Sequence, residues 1–320
     1  MTLITGATGF IGSHLIDRLK YLKRPFRCLS RRGSRHSMPE GVESVEADLS
    51  TGQGLEQALD GITCVIHLAG VTKTWRPAEY YTGNAGATAV LCKALAGKGI
   101  RLVHVSSLAA MGPNDDGKPL REDAVPAPFT HYGKSKLQAE QTVRASVPGA
   151  VIVRPPVVYG PRDTDVFKLL EAVNRGWMLE IGGGERYFSA IFVRDLVDGL
   201  LAASAHPAAA GRTYFVAHAE PLTWTRFGNT AAQILGKHPR AVRVPVPIAW
   251  LIGLGSEALS WILRKPVIIS REKVAEAQCR YWTCDSQRAA DDLGFVASTS
   301  LDRGLAETLA WYKEAGWLTN

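Results

Sequence analysis

The feature that most narrows the fold of this chain is the sequence TGATGFIG at residues 5–12, which directly follows the apolar stretch MTLIT. Gly6 permits a tight turn, Gly9 lets the backbone approach a pyrophosphate, and Gly12 lets the next helix pack closely on the strand. The amino end of that helix offers N–H groups and the positive end of the helix dipole to a phosphate. A purely structural turn is the alternative, but the order strand, glycine turn, helix predicts a dinucleotide-binding βαβ unit.

Strand-like and helical patterns alternate through the first half of the chain. Apolar residues at helical spacing follow the glycine turn, and further helical segments cover 85–95 and 132–146. The strand candidates are short, apolar and rich in β-branched residues: FRCLS, VESVEA, CVIHLAG, RLVHVSS and AVIVRP. Because parallel strands are joined by right-handed crossovers, the pattern predicts an α/β fold, a doubly wound parallel-sheet Rossmann fold that binds ligands at the carboxyl ends of its strands.

The pattern changes after RPPVVYGPR, where short strand candidates mix with amphipathic helices. We interpret this half as a smaller, mostly helical C-terminal substrate domain. The predicted division assigns 1–160 and 188–218 to the NADP-binding Rossmann domain and 161–187 and 219–320 to the substrate-binding cap.

The composition and the charge pattern argue against a disordered chain, a nucleic-acid-binding protein and a metal-binding protein. With 46% hydrophobic and 21% charged residues, the chain is typical of a folded globular protein. Its net charge of +7 is scattered, and because no nucleic-acid-reading motif accompanies it, we expect no nucleic-acid partner. The five cysteines show no zinc-type spacing, so we expect reduced thiols and no metal. Since no secretory signal is visible, the expected location is cytoplasmic.

One apolar segment, residues 244–269, tests this interpretation. Glu257 and two glycines interrupt it, so the uninterrupted part is shorter than the roughly 20 residues that span a bilayer. A buried or groove-forming helix is therefore favoured over an integral span, with peripheral contact to a membrane surface as the alternative.

The end of the second strand indicates which dinucleotide binds. Ser30 stands where an acidic residue would hydrogen-bond the free ribose hydroxyl of NAD, and Arg31 and Arg32 follow it. Because guanidinium groups can bind a 2′-phosphate in bidentate fashion, the sequence favours NADP(H), with NAD(H) possible. Asp48 and Leu49 follow the third strand, at the edge where an adenine ring could lie.

A further group of residues follows the fourth and fifth strands. HLAG, residues 67–70, ends the fourth strand in small residues that let a cofactor approach, while His67 itself is favoured as a packed strand residue. Ser106 and Ser107 end the fifth strand. Tyr132 and Lys136 are four residues apart and therefore share one helix face.

These motifs together resemble the extended short-chain dehydrogenase/reductase family (the NAD-dependent epimerase/dehydratase superfamily) over nearly the whole chain. The C-terminal part is most similar to the branch of 3β-hydroxysteroid dehydrogenases and dihydroflavonol reductases. The resemblance implies that Ser107 orients the substrate, Tyr132 is the acid/base and Lys136 its partner. Asn84 matches the family's helix-start asparagine, although NAGAT inserts Ala87 into that motif. A homodimer, joined through the tyrosine helix and its antiparallel neighbour, is also implied.

The expected chemistry follows from these groups. A tyrosine hydroxyl can donate a proton to a developing alkoxide, but its ordinary pKa near 10 is high for exchange at neutrality. We expect the Lys136 ammonium to lower that pKa and Ser107 to hydrogen-bond the carbonyl oxygen.

The predicted site is large. The expected cofactor-binding residues, besides Tyr132 and Lys136, are Gly6, Thr8, Gly9, Phe10, Ile11, Gly12, Arg31, Arg32, Asp48, Leu49, Leu68, Ala69, Gly70, Asn84, Ser106, Pro155 and Val157. Since ligand pockets are mostly apolar, the candidates for substrate contact are Trp75, Tyr80, Met111, Phe129, Tyr159 and Phe188.

The sequence predicts an NADP(H)-dependent oxidoreductase that reduces a ketone or aldehyde of an apolar or aromatic small molecule, steroid- or flavonoid-like. The alternative is a nucleotide-sugar epimerase or dehydratase with tightly bound NAD(P), for which Arg162 and Arg186 are candidate diphosphate ligands. A third hypothesis is a non-catalytic NADP(H)-sensing regulator, but such relatives typically lack part of the Ser, Tyr, Lys set.

Overall fold

The computed structural model describes residues 1–31, 33, 38–39, 41–265 and 270–318. Its centre is a seven-stranded sheet of order β3-β2-β1-β4-β5-β6-β11, in which every neighbouring pair is parallel. The strands of this sheet are β1 Thr2–Thr5, β2 Phe26–Ser30, β3 Ser44–Glu46, β4 Cys64–His67, β5 Arg101–Val105, β6 Val151–Arg154 and β11 Thr213–Phe215.

The helices are α1 Phe10–Tyr21, α2 Leu55–Leu59, α3 Pro77–Tyr80, α4 Ala87–Leu95, α5 His131–Ser146, α6 Asp165–Asn174, α7 Val193–Ala205, α8 Trp224–Leu235, α9 Val246–Leu263, α10 Arg271–Gln278, α11 Gln287–Leu293 and α12 Leu301–Glu314. The remaining strands are β7 Val157–Tyr159, β8 Trp177–Ile181, β9 Tyr187–Phe188, β10 Ala190–Phe192, β12 Leu222–Thr223, β13 Arg240–Val244 and β14 Tyr281–Trp282.

Both faces of the central sheet are covered by helices. Ile4 packs into the core cluster that contains residues of α1, α7 and α11, while its neighbour Leu3 packs into the cluster on the other face, with residues of α2, α4 and α5. Since successive side chains point to opposite faces, a strand buried on both faces is continuously apolar, as these strands are in the sequence. The predicted doubly wound α/β fold is therefore confirmed.

The C-terminal half forms a second core. Buried side chains of α6, α8 and α12 meet those of β9 and β10 there, with Phe227 and Tyr312 among the fully buried ones. The chain also forms small two- and three-stranded sheets, β7–β10, β8–β13 and β12–β9–β14. Within the predicted cap range 219–320, Ala289 and Leu293 of α11 instead pack into the core of the central sheet.

The order of the strands in the central sheet predicts where a ligand crevice lies. The chain builds outward from β1 to β2 and β3 on one side and to β4, β5 and β6 on the other. Such a switch point leaves a crevice at the carboxyl end of β1, where the glycine turn begins.

The sequence favoured a buried or groove-forming helix for residues 244–269, and α9 is not buried. Only 17% of its 18 residues are buried, and it is the one helix in the described part of the chain that is long and apolar enough to cross a membrane. Residues 266–269, the last of the apolar segment, lie outside the described residues.

Candidate active site

The glycine turn and the start of α1 fit a pyrophosphate. Gly9 is the N-cap of α1, no side chain caps that helix, and Thr8 and Gly9 are exposed. The first N–H groups of a helix have no intrahelical partner, so those at Phe10 and Ile11 can bind an anion. A Cβ on Gly9 would meet only the Gly6 oxygen, at 3.2 Å, which leaves the outer side of the turn open to a ligand.

Two of the glycines are required by close packing. Gly6 has φ +72°, and a Cβ there would lie 2.6 Å from the Ala69 nitrogen of the β4 loop. A Cβ on Gly12 would lie 2.3 Å from the Gly6 oxygen. Neither approach leaves room for a side chain, so these residues fix where α1 begins relative to β1 and β4.

At the end of β2, Ser30 is buried and its Oγ donates to the Val45 oxygen at 3.4 Å. Arg31 is exposed and close enough to Asp48 to lower the pKa of that carboxyl. The larger causes of the lowered pKa of Asp48 are two hydrogen bonds from Ser50, from its hydroxyl and its backbone N–H. Leu49 is half-buried beside it. Arg32 lies outside the described residues.

Asn84 organises the loop after β4. Its Oδ1 accepts from the Val71 N–H at 2.7 Å, and its Nδ2 donates to the Val71 oxygen and to Ser135 Oγ of α5. The residue lies in a π-helical turn, Tyr81–Gly86, just before α4. In this loop Leu68 and Ala69 are half-buried and Gly70 is exposed.

Ser107 and Tyr132 meet because α5 packs closely against the turn that follows β5. Ser107 caps a 3-10 turn, Leu108–Ala110, and accepts from the Ala109 N–H at 3.1 Å. Gly133, the residue after Tyr132, lies against that turn, since a Cβ on it would be 2.3 Å from the Ala109 oxygen. The glycine in YGKSK therefore brings the hydroxyl groups of Ser107 and Tyr132 together.

The pKa of Tyr132 lies above its ordinary value, which differs from the expectation. Burial raises it and outweighs two lowering effects, a hydrogen bond with Ser107 and the charge of Lys273. The phenol is therefore protonated at neutral pH and can donate its proton. The ring of Tyr80 lies edge-on to that of Tyr132, with centroids 6.0 Å apart.

Lys136 is buried one turn further along α5. Its Nζ donates to the Val105 oxygen, at the end of β5, at 2.7 Å, and burial lowers its pKa to about 8. This bond holds the ammonium at the carboxyl edge of the sheet, with donors left for a cofactor. Ser106 is buried beside Ser107, and its N–H donates to the Val153 oxygen.

The neighbouring His67 is a packed residue, as the sequence favoured. Its Nδ1 lies 2.6 Å from Thr5 Oγ1 and its Nε2 3.1 Å from Thr88 Oγ1. Burial lowers its pKa to about 3, so it is neutral and structural.

Sequence reasoning missed α10, which lies over the amino end of α5. Glu272 accepts a hydrogen bond from the His131 N–H at 3.1 Å, and Lys273 lies near the Tyr132 hydroxyl while donating to Glu276 at 2.5 Å. Nothing in the sequence around Lys273 signals this role, because only the tertiary fold brings α10 to α5.

The sequence also missed a buried ion pair that ties α5 to β6. Arg154 Nε and Nη2 donate to the two oxygens of Glu140 at 2.8 and 2.6 Å, and both residues are essentially inaccessible to solvent. Pro155 follows directly, and its oxygen accepts from the Leu108 N–H in the turn after Ser107. Val157 is half-buried at the start of β7.

The six aromatic and apolar candidates for substrate contact fall into two groups. Met111, Tyr159 and Phe188 are buried in core clusters, with exposed fractions of 1–3%. Trp75, Tyr80 and Phe129 remain partly exposed.

Of the two arginines considered for a diphosphate, Arg162 pairs with Asp17 of α1 at 2.8 Å. The Nε of Arg186 is buried without a partner in the described structure. Among the residues that the structure describes, no group of three His, Cys, Asp or Glu side chains could hold a metal ion.

A doubly wound sheet with a glycine turn at its switch point and a Ser, Tyr, Lys group beside it defines an NAD(P)-dependent enzyme of the extended short-chain dehydrogenase/reductase type. The chain belongs to the NAD dependent epimerase/dehydratase family, whose model matches residues 2–217.

Relatives within the family include both reductases and epimerases. The chain is 31% identical to a ceramide reductase from Caulobacter vibrioides, covering 98% of this chain and 95% of that one. It is 29% identical to N-acetyl-alpha-D-glucosaminyl-diphospho-ditrans,octacis-undecaprenol 4-epimerase from Escherichia coli O157:H7, covering 97% and 94%. The solved structure of MoeE5 with UDP-glucuronic acid and NAD is similar, with a TM-score of 0.78 and 26% identity over 98% of this chain and 99% of that one.

Proposed function

We propose that this enzyme uses NADP(H) to reduce a ketone or aldehyde of an apolar small molecule. The observation that carries the proposal is the protonated, half-buried phenol of Tyr132, hydrogen-bonded with Ser107 at the carboxyl end of β5. When bound, the nicotinamide cofactor supplies the hydride. Tyr132 donates its proton to the carbonyl oxygen, and Ser107 hydrogen-bonds that oxygen as charge develops on it.

The other predicted residues hold and orient the reactants. The turn from Thr8 to Gly12 would bind the pyrophosphate, and Lys136 would donate to the nicotinamide ribose, as the resemblance implies. Asn84 acts through the loop 68–71, because its side-chain donors are already used within the protein. Trp75, Tyr80 and Phe129 are the proposed apolar contacts to the substrate.

The preference for NADP(H) rests on the end of β2. Ser30 lacks the carboxylate that would bind the ribose hydroxyl of NAD, and Arg31 is placed beside it. The relative named as a ceramide reductase supports a lipid substrate in particular.

A nucleotide-sugar epimerase is the second candidate. The epimerase relative and the unpartnered Nε of Arg186 favour it. The pairing of Arg162 with Asp17 disfavours it, because that guanidinium is already neutralised.

A homodimer joined through α4 and α5 and a cytoplasmic location are also proposals. The resemblance supports the first, and the five free thiols suit a reducing compartment.

Tyr132→Phe tests the assignment. General acids contribute about 10²–10⁴-fold to rates, so the variant should lose at least about 100-fold in turnover while binding NADPH and NADH as the unchanged enzyme does. The assay follows NADPH and NADH oxidation with long-chain, steroid and flavonoid ketones, aldehydes and nucleotide sugars. Turnover near that of the unchanged enzyme would refute the role of Tyr132, and tighter binding of NADH would refute the cofactor preference.

A further inference from the structure

Helix α9 presents an apolar face that the other described parts of the chain leave largely exposed. Of seventeen exposed large apolar side chains among the described residues, nine lie on this helix. We call these nine the α9 face: Ile248, Trp250, Leu251, Ile252, Leu254, Leu259, Trp261, Ile262 and Leu263. Single exposed apolar residues are normal, whereas a contiguous group of this size marks an interaction surface.

The opposite side of α9 is fixed to the protein. Ala249, Gly253 and Ser260 are its buried residues and lie at helical spacing on one side. A Cβ on Gly253 would come within 3.2 Å of the Arg271 nitrogen, which shows how closely α9 packs on α10. Because one side is held against α10, the helix lies along the molecule, and a bilayer can reach only its apolar face.

The charges around α9 suit an anionic lipid surface. Glu257 is the only charged residue in the helix, and it is neutralised by Arg271, whose Nε lies 2.7 Å from its carboxylate. Arg264 and Lys265 follow at the carboxyl end and are exposed. Cations beside an apolar helix face are attracted to anionic headgroups, with about 1 kcal/mol for each Lys or Arg near the surface.

Two tryptophans lie toward the two ends of the α9 face. The exposed fractions of Trp250 and Trp261 are 40% and 67%. Tryptophan is enriched where headgroups meet acyl chains, because its ring is apolar and its N–H needs a polar partner. In a bilayer surface, both rings would lie at the level where headgroups meet acyl chains.

The α9 face lies beside two segments near Tyr132, the loop after β4 and helix α10. The ring of Trp261 contacts that of Trp75 in the loop after β4, with centroids 5.8 Å apart. Helix α10 connects α9 to α5 through Glu272, which accepts a hydrogen bond from the residue before Tyr132. A surface that covers α9 therefore adjoins the approach to the catalytic tyrosine.

We propose that α9 lies in the surface of an anionic bilayer, with its apolar face among the acyl chains, and that the enzyme takes its substrate, a lipid ketone or aldehyde, from that bilayer. The proposed docking of α9 to a bilayer does not depend on the proposed carbonyl reduction, whereas the substrate class rests on the function proposed above. An in-plane apolar helix reaches about 5–10 Å below the headgroups, so a carbonyl near the headgroup would lie at its level.

The test compares two double variants that add the same charge. Leu251→Glu with Ile262→Glu alters the α9 face, and Tyr21→Glu with Val296→Glu alters exposed apolar residues elsewhere. Each full-length protein is floated with vesicles of mixed phosphatidylglycerol and phosphatidylcholine and with vesicles of phosphatidylcholine alone. The NADPH oxidation of each is measured with a short water-soluble ketone and with a long-chain ketone held in the vesicles.

The unchanged protein and the control variant should bind the mixed vesicles, and binding to phosphatidylcholine alone should be weaker by about tenfold or more. The α9 variant should lose at least about tenfold in binding and in activity on the vesicle-held ketone, with unchanged activity on the soluble ketone. Equal binding of both variants, or no binding by the unchanged protein, would overturn the docking, as would self-association through α9 without lipid. Docking without activity on any ketone would overturn the substrate class and the proposed function while leaving the docking in place.

Discussion

The proton that Tyr132 would donate is controlled by residues from distant parts of the sequence. Burial raises the pKa of its phenol, while Ser107 and Lys273 act in the opposite direction. Lys136, expected to lower that pKa, is instead bonded to the Val105 oxygen. In this geometry Lys136 would place a buried cation where the cofactor would lie.

Lys273→Met should shift the pH dependence of catalysis. Lys273 lowers the pKa of Tyr132, so its removal raises that pKa. Alcohol oxidation needs the phenolate as base, and its rise with pH should therefore move to higher pH. Carbonyl reduction needs the phenol, and its fall at high pH should move the same way.

Lys273→Arg is the matched control, because it keeps the positive charge. The measurement is the pH profile of kcat in both directions for the two variants and the unchanged enzyme. A profile of Lys273→Met that coincides with that of the unchanged enzyme would show that this charge does not act on Tyr132.

Among the helices and strands, α5 is the element on which the active site most depends, because its position brings Tyr132 next to Ser107. The Glu140–Arg154 pair fixes its middle to β6, and Gly133 brings its first turn against the segment after Ser107. Helix α10 covers the same turn from the other side through Glu272.

Gly133→Ala should move α5 away from Ser107. The added Cβ would lie 2.3 Å from the Ala109 oxygen, and overpacking of this kind costs about 1–3 kcal/mol, offset in part by the roughly 1 kcal/mol that alanine gains in a helix. We expect kcat to fall at least about tenfold, because catalysis is sensitive to shifts of about 1 Å, and the urea midpoint to fall by no more than a net loss of about 2 kcal/mol produces.

The control for this prediction is Gly149→Ala, in the loop after α5, where an added Cβ meets nothing within 4 Å. It should retain full kcat. Equal kcat values for the two variants would contradict the argument that close packing at Gly133 aligns the site.

The elements differ in how far the sequence could predict them. The six strands proposed for the first half and the glycine turn were predicted correctly, because buried parallel strands and a βαβ turn leave local patterns. The exposure of α9 was not predicted, since an apolar helix has the same composition whether it is buried in a core or exposed. Lys273 and the Glu140–Arg154 pair could not be predicted, because their contacts depend on how separate elements pack.

At the scale of the whole molecule, the central sheet would hold the cofactor, the C-terminal half covers the reacting end, and α9 offers a route to lipid. The chain matches curated relatives over nearly their full length, and those relatives divide between reductases and epimerases. Reductases and epimerases differ in what happens to the cofactor. A reductase leaves it oxidised, whereas an epimerase restores it to its initial state. The fate of the hydride is therefore the property that separates the two functions.

The most direct test uses NADPH carrying deuterium at the transferred position of the nicotinamide, with a long-chain ketone, followed by mass spectrometry of the product. Carbonyl reduction predicts one deuterium on the new alcohol carbon and one oxidised cofactor per alcohol formed. An unlabelled product, or conversion of a nucleotide sugar to its epimer without net cofactor oxidation, would contradict it.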